Sequence, residues 1–72
     1  MGAVAVIGEP DLIAGYRLAG ARAIPAAEPD AVRAAWHSLG RDTALVIVTA
    51  TAARSLAAEL AAGRPLAVVL PE

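Results

Sequence analysis

The sequence has no cysteine, no lysine and no phenylalanine, and only one histidine, one tryptophan and one tyrosine. Without cysteine there can be no disulfide and no thiolate metal ligand. A single histidine, His37, cannot build a zinc site alone. Without lysine, Schiff-base chemistry and a phosphate-binding P-loop are both closed. Charge of either sign is scarce: six arginines against seven carboxylates give a net charge of −1. That balance does not suit a polyanion, so neither nucleic acid nor an acidic membrane surface is expected as a partner. No apolar run is long enough to span a membrane. The N-terminal run Ala3–Ile7 has no basic residue before it and is too short for a signal peptide. A cytoplasmic protein without direct membrane insertion is the expectation.

Seventy-two residues make one domain, residues 1–72. A chain of this size buries only about 60% of its unfolded surface and usually recruits a disulfide, a metal or a partner. The first two being closed, the choice is between idealised packing and a partner. The apolar fraction is 58%, above the usual range of about 45–50%. The excess is mostly alanine, so the core must be built from small and branched aliphatic side chains.

Three apolar runs stand out: Ala3–Ile7, Ala44–Val48 and Leu66–Leu70. Each is rich in β-branched residues and is bounded by Gly, Pro or polar residues. Unbroken apolarity, without alternation, fits strands covered on both faces. A weaker run over residues 22–25 carries Arg22 and Pro25, which mark an edge strand because proline cannot donate to a ladder.

Helical spacing fills the gaps. Leu12, Ile13, Tyr16 and Ala19 predict a helix from Pro10 to Ala19, with Pro10 and Asp11 suited to its start and Gly20 to its stop. Val32, Ala35, Trp36 and Leu39 give one buried stripe over Pro29–Leu39, with Gly40 as the stop. Ala53, Leu56, Ala57 and Leu60 repeat the spacing over about Thr51–Ala62, followed by Gly63 and Pro65. Strand and helix alternate, which predicts an α/β fold: a four-stranded parallel sheet with right-handed crossovers, three helices and strand order 2-1-3-4, in a receiver- or Rossmann-like three-layer sandwich.

Ligands of such sheets bind at the carboxyl ends of the strands, at the switch point between strands 1 and 3. The residues there are Gly8, Glu9, Asp11, Thr49, Ala50 and Thr51. A dinucleotide site needs closely spaced glycines, but after Gly8 none comes before Gly15, and Glu9 and Asp11 repel phosphate. A phospho-receiver needs an aspartate ending strand 3 and a late lysine; strand 3 leads to Thr49 and lysine is absent. A hydrolase would pair His37 with Ser38, yet neighbours on a helix do not face each other. Trp36 reads as core and His37 as surface. No catalytic residue, cofactor site or metal site is expected. Gly15, inside the first helix at a cost of about 0.8–1.0 kcal/mol relative to alanine, marks a close approach either by the chain's own sheet or by a partner.

The segments Ala5-Val6-Ile7-Gly8-Glu9 and Gly15-Tyr16-Arg17-Leu18-Ala19-Gly20 resemble the F subunit of the V-type and archaeal A-type rotary ATPases, with Tyr16 where that family usually has phenylalanine. Thr49 and Thr51 after the third strand, and Pro71-Glu72 at the end, look like the same family, and the resemblance spans essentially the whole chain. It implies a non-catalytic central-stalk protein without cofactor. Such a protein binds the D-subunit coiled coil among the other soluble-sector ATPase subunits, and helps couple ATP hydrolysis or synthesis to proton or sodium transport. It would be cytoplasmic and held at the membrane through the complex. Family members usually continue past strand 4 into a helical segment, so ending at Glu72 the chain resembles a short form. The motif residues Gly15, Tyr16, Arg17 and Gly20 are expected to bind the partner, together with Leu66 and Val68 of an edge strand that lacks charge and internal proline. The alternative is a stand-alone receiver-like module that binds a small ligand or a protein without catalysis.

Overall fold

Nine short elements follow one another in the computed structural model, which describes residues 2–17, 20–62 and 66–71. They are β1 (Ala3–Gly8), α1 (Pro10–Ile13), a 3-10 turn (Ala14–Arg17), β2 (Arg22–Pro25), α2 (Pro29–His37), β3 (Thr43–Val48), α3 (Ala50–Ser55), α4 (Ala57–Ala61) and β4 (Leu66–Val69). The strands form one sheet in the order β2-β1-β3-β4, and every neighbouring pair is parallel. The apolar runs therefore became strands as expected. Arg22 and Pro25 lie on an edge strand, where a missing ladder donor does no harm.

The register sorts the side chains into two faces. Ile7, Val48 and Val69 share one row, as do Ala5, Val46 and Ala67. This face carries the core: Ile7, Val46 and Val48 pack with Val32, Ala35 and Trp36 of α2, and with Ala52 and Leu56 of the α3–α4 stretch. On the other face, Val6 and Ile13 are buried outside that cluster. The turn from β1 into β2 moves in the opposite sense to the two later crossovers, and right-handed connection then puts α1 opposite α2–α4.

The helices depart from their expected spans in ways the backbone explains. Only one turn of α-helix forms before the chain tightens into the 3-10 turn holding Gly15, where a glycine interior weakens continued α-helix. Leu18 and Ala19, the expected end of that helix, lie outside the described residues. Gly20 adopts φ +89°, the left-handed geometry expected of a stop. Gly40 does not act that way: α2 ends at His37, and Ser38 caps it, its hydroxyl donating to the Ala35 carbonyl at 2.7 Å. The third helix begins at Ala50, with Thr49 as N-cap, and is interrupted at Leu56 (φ −111°, ψ 20°). The Leu56 N–H turns tightly onto the Ala53 carbonyl at 3.1 Å, and helical bonding resumes with Leu60 N–H to Leu56 O at 2.8 Å. Gly63 and Pro65 lie outside the described residues.

Candidate functional site

The carboxyl ends of β1 and β3 meet at Gly8 and Thr49. A Cβ on Gly8 would run into the Thr49 methyl group and lie 2.8 Å from its Oγ1 and 3.1 Å from Ile13 Cγ2. Glycine is needed here for packing, not for an approaching phosphate. Thr49 is only 3% exposed, the one buried polar residue among those described. Its Oγ1 accepts from the Ala52 N–H at 3.3 Å, capping α3, and donates to Glu9 Oε1 at 2.7 Å. Glu9 in turn starts α1: its carbonyl accepts from the Leu12 and Ile13 N–H groups at 3.0 and 3.2 Å. One buried hydroxyl thus ties the β1–α1 connection to the β3–α3 connection across 40 residues of sequence.

Over this tie opens a cleft of about 350 Å³, lined by Glu9, Leu12, Thr49, Ala50, Thr51, Leu70 and Pro71. Glu9, Thr49, Ala50 and Thr51 were expected at the switch point. Gly8 lies beneath them, and Asp11 sits exposed in the first turn of α1 without lining the cleft. Leu12, Leu70 and Pro71 were missed. Leu70 could have been found, since it continues the alternation of Leu66 and Val68 and its N–H still bonds to the Val48 carbonyl at 2.8 Å. The chemistry on offer is a carboxylate between apolar walls. The Thr49 hydroxyl is buried and caps α3, so it is not presented to a substrate in the cleft. A carboxylate at this position repels phosphate and favours a cation.

The other residues singled out in the sequence fall elsewhere. Trp36 is buried in the core. His37 is exposed, its Nε2 3.6 Å from Glu59 Oε2 on α4, and Ser38 is turned to the backbone of α2. The expected partner-binding residues occupy two separate places. Gly15, Tyr16 and Arg17 form the 3-10 turn and Gly20 follows, all on the connection into β2 at one sheet edge. Leu66 and Val68 stand exposed on β4 at the opposite edge, 68% and 49% accessible. Gly15 is exposed, and a Cβ there would meet nothing within 4 Å among the described residues, so a close approach of the described strands is not the reason for that glycine. The side chains of Tyr16 and Arg17 lie outside the described structure.

Strand order, crossovers and a switch point closed by a Thr–Glu bond define a receiver-like α/β module without a phosphate loop. The sequence profile of the ATP synthase (F/14-kDa) subunit matches residues 4–71, and the chain belongs to that family. The crystal structure of the V-type ATP synthase F subunit from Archaeoglobus fulgidus has the same fold. The two superpose with a TM-score of 0.68 over 97% of this chain and 98% of that one, at 20% sequence identity. None of the curated proteins compared with the chain matches it.

Proposed function

We propose that the chain is a non-catalytic component of the central stalk of a V/A-type ATPase or ATP synthase. It binds the coiled coil of the D subunit and helps couple ATP hydrolysis or synthesis to ion transport. It is cytoplasmic and peripheral to the membrane, held there by the other soluble-sector subunits. The observation that carries this reading is the family match over residues 4–71. No helix among the described residues is long and apolar enough to cross a membrane, which agrees with attachment through a complex.

Co-expression with the D subunit of the same organism tests the reading. A stable one-to-one complex on size exclusion is the expected result, and separate elution at micromolar concentration contradicts it. The cleft is the observation that favours the alternative, a free-standing small-ligand module. Calorimetry with ATP and ADP checks that alternative for nucleotides, and no saturable binding is expected. Binding tighter than about 100 μM, roughly −5.5 kcal/mol, would support the alternative.

A further inference from the structure

The sheet face opposite α2–α4 is only half covered. Over β1 and β2, Val6 and Ile13 are buried, but Leu66 and Val68 on β4 and Val4 on β1 remain exposed. These side chains stand in two rows that cross three strands, Val4–Leu45–Leu66 and Val6–Ile47–Val68. From β1 to β4 the strip is two strand spacings wide, about 9.6 Å, close to the diameter of one α-helix, about 10–12 Å. Toward the carboxyl ends of the strands it runs past Leu70 into the cleft, beside Leu12, which is 57% exposed, and ends at Glu9. Neither Glu9 nor the neighbouring Asp11 forms an ion pair among the described residues. At the other end the described charges are mixed, with Arg22 lining the hollow beside Val4 and Ile47 and with Arg41 and Asp42 in the turn before β3. The strip is therefore apolar along its length and acidic at one end. A self-paired dimer of ordinary stability needs about 20–30 residues a side, far more than this strip presents. A single helix needs only an apolar stripe and, at the acidic end, a cation.

We propose that this strip seats one amphipathic helix of a partner protein. The apolar stripe of that helix lies on Val4, Leu66 and Val68. A lysine or arginine of the helix passes its aliphatic stem between Leu12 and Leu70 and sets its charged head against Glu9. Thr49 holds the Glu9 carboxylate in place through Oε1, leaving Oε2 for the incoming cation. The proposal rests on the stalk reading, which supplies the helix from the coiled coil of the D subunit, and it assigns the surface, the orientation and the charge at one end.

Titration calorimetry of the purified D subunit into the full chain tests it, with Leu66→Glu, Val68→Glu, Leu66→Ser and Glu9→Gln as variants. Ala34→Glu on the exposed side of α2 is the control, and circular dichroism confirms that each variant is folded. Leu66→Glu and Val68→Glu are expected to weaken binding about 30-fold or more, as loss of an interface anchor does. Leu66→Ser, which adds no charge, should also weaken it. Glu9→Gln keeps the Thr49 bond and should cost about tenfold, with a shallower salt dependence. Ala34→Glu should bind like the wild type. Wild-type affinity in both β4 glutamate variants overturns the proposal and leaves the stalk reading standing. An unchanged salt dependence in Glu9→Gln overturns the charged contact. Failure of the wild type to bind the D subunit overturns the stalk reading and the proposal together. A wild-type dimer that Val68→Glu dissociates overturns the proposal in favour of a second copy of the chain.

Discussion

Thr49 holds the switch point together with one oxygen, capping α3 and fixing Glu9. Thr49→Val removes both bonds at a buried site and should cost about 2 kcal/mol, whereas Thr49→Ser retains most of that. Urea denaturation of the pair measures the difference, and equal midpoints would show that the hydroxyl carries no stability. The glycines separate by the same logic. Gly8→Ala must push Thr49 aside, an overpacking cost of about 1–3 kcal/mol. Gly20→Ala must hold φ +89° with a side chain and should cost about 1–2 kcal/mol. Gly15 has no described residue within reach of an added Cβ and no left-handed backbone, so Gly15→Ala should be neutral or stabilise by up to about 1 kcal/mol. That makes it a clean probe of the Gly15–Gly20 connection. If a partner approaches there, Gly15→Ala weakens the complex without weakening the fold.

At the scale of elements, β4 is the exposed member. It is four residues long, has one neighbour, and shows Leu66, Val68 and Val69 to solvent. An uncharged open edge invites pairing with other chains. Val68→Lys should therefore reduce aggregation of the isolated protein on heating, read by light scattering, with little change in melting temperature. Aggregation unchanged by the substitution would place the hazard elsewhere. The strands and their order were legible in the sequence because parallel strands write themselves as unbroken apolar runs rich in β-branched residues, as in Val46–Val48. The helix interruptions were not. Alanine fills both α3 and α4, so nothing in their composition distinguishes a continuous helix from one broken at Leu56. Gly40 looked like a stop because of its position, but the cap had already been supplied by Ser38. Of the cleft, Glu9 and Thr49–Thr51 followed from strand order alone. The Glu9–Thr49 bond joins residues 40 apart in the chain, and no local pattern encodes it. Leu12 was placed in the first helix by its spacing alone, which does not say that Ile13 is the buried member and that Leu12 is exposed.

The whole molecule has little stability in reserve. At about 0.05–0.15 kcal/mol per residue, 72 residues yield about 4–11 kcal/mol. Leu56 is fully buried in the core, and Leu56→Ala at about 2–5 kcal/mol should remove a large share of that reserve and lower the melting temperature of the isolated chain, as circular dichroism would report. One sheet face is closed by helices and the other is half open, so a partner that covers the open half supplies what the chain cannot bury alone. A partner that binds only the folded state adds about 2.7 kcal/mol at a hundredfold excess over Kd. For a domain this size, that is a rise in melting temperature of about 10–20 °C. The most direct measurement is the thermal unfolding of the chain alone and with a saturating amount of the D subunit. A rise of that order, absent when an unrelated coiled coil replaces the D subunit, is the predicted result; a melting temperature unmoved by the D subunit would contradict a place for this chain in the stalk.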